Sequence, residues 1–279
     1  MQIYTKKIDK YSLLTFEIKQ MNLPFTGQVV VAHDDELTRS LLLKKALAIE
    51  KWLMDVDRRF SPFRSDSELS LYNAGKLDFE QTSPVFKQIF ALTVFAEEQT
   101  LGLFSANYRG QYDPTGLVKG WAIEKAQQIQ LKPLLSDPNF IAVNLNGGGD
   151  MQFATRLDSD WNWSIGISDP FDNEKILSKI VMKNAAIATS GTSQRGDHLI
   201  DPASGQAVLK QKNSIISTSV LCPSLTLADI WATAIAIPAI NDHDWLDHIP
   251  GSGLRISYSK TAERWLDHKL VDQKELRYA

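Results

Sequence analysis

Apolar and polar residues alternate along residues 11–19 and again along 27–33, around Val29, Val30 and Val31, the period-two signature of half-buried strands. These runs predict an antiparallel pair. Over residues 34–60 the period changes. Leu41, Leu42, Lys45, Ala46, Ile49, Trp52, Leu53 and Val56 recur at three and four, which predicts one long helix with a single apolar stripe. Pro62, in Phe60-Ser-Pro-Phe63, does not continue it. Ser65 with Glu68 reads as a capping box that opens a short helix through Tyr72, closed by Gly75. Ser83-Pro84 starts another helix, running to about Thr100, with Val85, Phe86, Ile89, Phe90, Leu92 and Val94 mostly buried.

Residues 102–112 read as a loop, and 113–130 as a turn feeding a helix. Strands follow at 140–145, 151–156, 161–167, 176–182, 185–188 and 214–221, with a tight glycine turn at 146–150. A helix over 226–237, capped by Thr226 and stopped by Pro238, precedes a last strand at 253–258. The charged tail after Thr261 is weakly specified. Helices and strands do not alternate regularly. The expected fold is therefore α+β, with mixed or antiparallel sheets and packed helices, not a doubly wound parallel sheet. With no repeat, low-complexity stretch or long linker, residues 1–279 are expected to form one domain.

Bulk composition narrows the functions. A net charge of −3 offers no basic field for nucleic acid. One cysteine, Cys222, excludes an internal disulfide and a cysteine zinc site. The N-terminal residues are polar and charged, and no apolar run approaches about eighteen residues. No signal peptide and no transmembrane segment are expected, and the cytoplasm is the expected compartment.

Four stretches could carry chemistry. Residues 188–205 gather Thr189, Ser190, Thr192, Ser193, Arg195, His198, Asp201 and Ser204 among Gly191, Gly196 and Gly205. Glycines admit backbone amides close to a ligand, hydroxyls and an arginine suit a polyphosphate ester, and His198 can move a proton near neutral pH. The same residues also suit a polar surface loop turning at Asp201-Pro202. In the apolar helix around Ile230, Asp229 and Thr233 stand four apart and so share a face. A buried carboxylate with a hydroxyl is an oxygen pair suited to Mg²⁺, although Asp229 could equally bond a neighbouring loop. Gly116 and Gly120 flank Lys119 near a helix start, where an anion is favoured, without the spacing of a P-loop; a plain helix-entry turn fits too. The turn at 146–150 could admit a ring or phosphate, or be only a hairpin turn. Trp121, Trp161, Trp163 and Trp231 read as core, Cys222 as structural, and His33, His243, His248 and His268 as surface or satisfied residues.

Taken in order, these motifs resemble the FAD:protein FMN transferase (ApbE) family. The resemblance runs from near Met21 to about Pro238. It rests on Phe60-Ser-Pro-Phe63 with Ser67-Glu-Leu-Ser-Leu-Tyr-Asn73; on Asp113, Gly116, Lys119 and Gly120; on Asn144 to Asp150; on Ala188 to Gly205; and on Ala228 to Thr233. Where the family has methionine-glycine-threonine, this chain has Met21-Asn22-Leu23, and an aromatic hydroxyl is replaced by Phe63.

The resemblance implies a mixed α+β fold with an FAD cleft between its sub-regions. It implies a Mg²⁺-dependent transfer of the FMN half of FAD to a threonine of an acceptor flavoprotein, with release of AMP. The metal ligands would be Asp229, Thr233 and the Gly116 carbonyl. Asp113, Lys119, Leu199 and Ile200 would contact FAD, and Met21, Phe63, Leu103, Phe104 and Ser105 would line its pocket. His198 would be the catalytic base. The alternatives are a Mg²⁺-dependent FAD pyrophosphatase, with water in place of the threonine, and a non-catalytic FAD-binding protein.

Overall fold

In the computed structural model, which describes residues 1–108, 110–191, 200–208 and 211–276, one sheet follows the chain. Its strands are β1 (Ile3–Ile8), β2 (Tyr11–Gln20), β3 (Leu23–Val31), β4 (Phe140–Gly147), β5 (Asp150–Thr155), β6 (Ala186–Gly191), β7 (Ile215–Cys222), β8 (Ser252–Ser257), β9 (Thr261–Leu266) and β10 (Lys269–Glu275). Each lies antiparallel beside the next. The other elements are insertions into this meander. Between β3 and β4 come α1 (Glu36–Phe60), α2 (Glu68–Asn73), α3 (Pro84–Gln99) and α4 (Thr115–Ala126); between β7 and β8 comes α5 (Leu225–Ala234). The α+β expectation holds, in its antiparallel form.

Alternation sorts the two faces of the sheet. Leu14, Phe16, Phe25, Val29 and Val220 meet the apolar stripe of α1 (Leu42, Ile49, Leu53, Val56) and Ala228, Ile230 and Trp231 of α5. Each such large side chain, fully buried, contributes about 1.5–3 kcal/mol before entropy is counted. On the opposite face Val30, Ile141, Phe153, Ile187, Ile216 and Ile256 pack under Trp163 and Ile167 of a long hairpin, Trp163–Asp169 with Asp172–Met182. The helices thus stand on one face only, and the polar residues discussed below all lie on that side.

Local chemistry explains the element ends. Asp35 caps α1 by accepting from the Thr38 N–H at 2.8 Å, and Arg58 and Arg59 sit at its carbonyl end. Ser83 caps α3, with Pro84 in its first turn, as the sequence predicts. The turn at 146–150 is a two-residue hairpin loop, with Gly147 opposite Asp150 and positive φ at Gly148 and Gly149.

Several expectations are corrected. The cap of α2 is Ser67, not Ser65; Glu68 instead accepts from the Ser83 hydroxyl at 2.8 Å and from the Ser83 N–H. Val94 is exposed. The loop at 102–112 holds a small ribbon, Asn107–Tyr108 with Gln111–Tyr112. Helix α5 begins at Leu225 under a Ser224 cap and ends at Ala234, well before Pro238; Thr226 lies inside it and donates to Glu124 at 2.6 Å. The tail is ordered as β9 and β10, and β1 precedes the first strand expected. A core-facing Glu263 in β9 breaks the binary pattern, and β1 and β10 are charged edge strands, so periodicity alone does not reveal them.

Candidate active site

Two helices with almost no gap between them build the site. At Gly120 a Cβ would stand 2.7 Å from the Asp229 Cβ and 3.0 Å from the Leu225 carbonyl, so only glycine lets α4 and α5 touch here. The Gly120 N–H donates to Asp229 Oδ2 at 2.9 Å. In a regular helix that N–H belongs to the carbonyl four residues back, which is Gly116. Asp229 therefore competes for the donor of the Gly116 carbonyl. At the far end, Glu124 of α4 accepts from the Ser224 hydroxyl at 2.8 Å, the Thr226 N–H at 2.8 Å and the Thr226 hydroxyl at 2.6 Å. An anion here also suits the N-terminus of α5.

Charge is concentrated between these helices and the sheet. Asp229 is 2% exposed and Asp150 1%. The Lys119 ammonium pairs with Asp150 and lies 3.6 Å from Asp229 Oδ1; Asp150 also accepts from the Thr189 N–H at 3.0 Å. Lys119 sits in the second turn of α4, so its own N–H is not one of the free amides of a helix start; the ammonium is what it offers. One turn beyond Asp229, Thr233 Oγ1 lies 3.2 Å from Ser190 Oγ on β6. An oxygen-only set of side chains lines the cleft here, the Asp229 carboxylate and the Thr233 and Ser190 hydroxyls, with Gly116 in the same wall. Among the described residues no trio of His, Cys, Asp or Glu is placed to hold a metal, so a cation here would rely on mixed oxygens.

The rim is held by less obvious residues. Ser67, fully buried, donates to the Ser61 carbonyl at 2.7 Å and so fixes residues 60–63. Asn73 donates to the Tyr112 carbonyl at 2.8 Å and accepts from the Tyr112 N–H at 3.1 Å, which positions Asp113 next to it. Asp113 in turn accepts from the Thr115 N–H at 2.9 Å, where α4 begins. Met21 and Asn22 form the two-residue turn between β2 and β3, both at positive φ, a conformation that asparagine tolerates better than methionine. The buried Phe104 ring lies where a Cβ on Gly116 would come within 3.1 Å.

These elements enclose a cleft of about 540 Å³. Met21, Phe63, Leu103, Phe104, Ser105, Asp113, Gly116, Lys119, Ile200, Asp229 and Thr233 all line it. His198 and Leu199 lie outside the described residues. Phe63 stands at the mouth, 88% exposed. Ser190 lines the cleft too, and Asp150 supports it as the partner of Lys119. Neither carries a site role in the sequence reading, because Ser190 is one hydroxyl among many in 188–205 and Asp150 reads as the end of a turn. Their signal lay in the strand alternation, which turns residues 186, 188 and 190 toward the helices.

A profile of the ApbE family matches residues 106–247, just over half of the chain. The chain belongs to the ApbE family. The matched segment holds both site helices and strands β4 to β7, and so the Lys119, Asp150, Asp229 and Thr233 part of the site; the rim residues Met21, Phe63 and 103–105 precede it. Solved ApbE structures share the fold over more than nine-tenths of the chain. The apo flavinyl transferase ApbE of Pseudomonas stutzeri superposes with a TM-score of 0.70, at 17% identity over 92% of this chain and 93% of that one. The flavin transferase ApbE of Vibrio cholerae gives 0.66, at 17% identity over 92% and 97%. The ApbE protein of Thermotoga maritima gives 0.69, at 19% identity over 94% and 97%. No curated protein sequence matches the chain. The family resemblance read from the motifs is thereby confirmed.

Proposed function

We propose that this ApbE-family chain is a Mg²⁺-dependent FAD:protein FMN transferase. What supports the reading most is the convergence in one cleft of all the described residues that the family pattern assigns to FAD and metal. Its volume suits a large ligand, and its lining combines charged and hydroxyl groups such as Asp229, Lys119, Asp113 and Thr233 with apolar side chains such as Met21, Phe63, Leu103 and Phe104.

The oxygen set fits Mg²⁺, which takes few protein ligands and keeps room for water and phosphate. Asp229, Thr233 and the Gly116 carbonyl would hold it, and when bound the ion supplies charge neutralisation at a diphosphate. The Lys119 ammonium, held by Asp150 and Asp229, adds positive charge at the same end of the cleft. Asp113 and Ile200 would position FAD, with Leu199 beside Ile200; Met21, Phe63, Leu103, Phe104 and Ser105 would take its rings.

The transfer balances simply. The hydroxyl oxygen of an acceptor threonine attacks the phosphorus on the FMN side of the diphosphate. A new P–O bond forms, the bridging P–O bond breaks, and AMP leaves with the bridging oxygen. The threonine proton passes to a base, for which His198 is the candidate. Phosphoryl transfer of this kind depends on alignment and charge more than on covalent help.

The test is to incubate the protein with FAD, Mg²⁺ and an acceptor flavoprotein and to follow nucleotides by chromatography. Equal amounts of AMP and protein-bound FMN, formed only with acceptor present, are expected. Free FMN and AMP without acceptor would make the chain a pyrophosphatase, and FAD retained intact would make it a binding protein.

A further inference from the structure

Thr233 lies in the last turn of α5, where a helix is least secure. Asp229, one turn earlier, is fastened by the Gly120 N–H. The end that carries Thr233 is fastened from the sheet instead. Ile235, the C-cap of α5, lies with its carbonyl 3.4 Å from Arg255 Nη1, and Arg255 Nη2 donates to the carbonyls of Ile240 and Asp242, both at 3.0 Å. Arg255 is fully buried on β8 and has its guanidinium 4.6 Å from the Trp245 ring. A cation at the carbonyl end of a helix is favoured by the helix dipole, and its fork of donors fixes several carbonyls at once.

The registers show why this arginine is tied to the site. Ser190 on β6 is directly opposite Thr218 on β7, Thr218 opposite Arg255 on β8, Arg255 opposite Glu263 on β9, and Glu263 opposite Gln273 on β10. Residues directly opposite in antiparallel strands share a face. One polar row therefore crosses five strands beneath the helices. It begins at Ser190, which bonds Thr233, and ends at Gln273, which donates to Glu263 at 2.9 Å; Glu263 also accepts from Arg255 at 2.8 Å and bonds His243 at 3.0 Å. Burying an ion pair this deep is costly against an apolar pair of similar size, so stability alone does not explain the choice.

We infer that Arg255, held by Glu263, is a positioning residue: it fixes the last turn of α5 so that the Thr233 hydroxyl stands ready as a metal ligand one turn from Asp229. The inference rests on the metal reading of the cleft. Arg255 touches neither substrate nor ion. It acts through the Ile235, Ile240 and Asp242 carbonyls.

The test is direct Mn²⁺ binding by electron paramagnetic resonance, without FAD or acceptor, beside thermal melting. The variants are Arg255→Lys, which keeps charge and loses the fork, and the double variant Arg255→Met with Glu263→Met, which removes both charges without leaving one unpaired. A cooperative melt with a Mn²⁺ dissociation constant raised about tenfold or more is expected, as for other residues that orient a ligand from behind. The Mg²⁺ concentration giving half-maximal transfer should rise in step. A well-folded variant that binds Mn²⁺ like the parent would overturn the inference and leave the pair a packing feature. If the double variant does not melt cooperatively, Arg255→Lys decides by the same criterion. A parent protein that binds no Mn²⁺ overturns both this inference and the metal reading beneath it, an outcome separable from the first because the parent itself fails.

Discussion

Two buried ionic clusters lie on the helix side of the same sheet, and they differ in what they face. Arg255 and Glu263 are closed off, bonded to each other and to His243, Gln273 and three backbone carbonyls, with Arg255 Nε left without a partner among the described residues. Lys119, Asp150 and Asp229 are almost as deep, yet Lys119 and Asp229 line a cleft. The closed cluster spends its hydrogen bonds on the fold. The open one turns charge and lone pairs toward a space large enough for a ligand. Burial by itself does not distinguish Asp229 from Glu263; what sets Asp229 apart is its place in the wall of the cleft.

Substitutions should affect the two clusters differently, with the largest losses of transfer at the open one. Asp229→Ala should lower FMN transfer by at least about 10³-fold, since it removes the one carboxylate of the oxygen set. The protein should remain folded by circular dichroism. His198→Ala should cost about 10²–10⁴-fold if it supplies general-base help, read from the initial rate at saturating FAD. At the closed cluster the expected loss is in stability. Glu263→Ala leaves Arg255 buried without its carboxylate and should cost about 3–5 kcal/mol in urea unfolding. Gly120→Ala sharpens the contrast because it touches the α4–α5 seam without altering a charge. The added methyl must move Asp229 or spread the helices, at about 1–3 kcal/mol, with a matching loss of transfer. Ser224→Ala, at the N-cap of α5, should cost only about 1 kcal/mol and leave transfer nearly intact.

Much of this was legible in the sequence. The stripe of α1, the Ser83-Pro84 start of α3 and the β2–β3 pair follow from periodicity and capping. Asp229 and Thr233 announced themselves as oxygen atoms one turn apart in an apolar helix. Other features were hidden for physical reasons. Ser67 and Asn73 act through backbone carbonyls and amides elsewhere in the chain, which no local pattern encodes. Glu263 faces the core as a charge, so β9 does not alternate as an ordinary strand does. The pairing of Asp150 with Lys119 joins residues from a hairpin and a helix, and only the fold brings them together. Gly120 read as part of an anion-binding turn, but its role is steric: it is the point of contact between two helices.

Covalent transfer of a flavin nucleotide should depend on the oxygen pair of α5, Asp229 and Thr233. In-gel flavin fluorescence tests it most directly, after incubation with FAD, Mg²⁺ and an acceptor flavoprotein. The parent protein should give a fluorescent acceptor band, and Asp229→Ala and Thr233→Ala none. Acceptor bands of equal brightness from the parent and both variants would contradict this dependence.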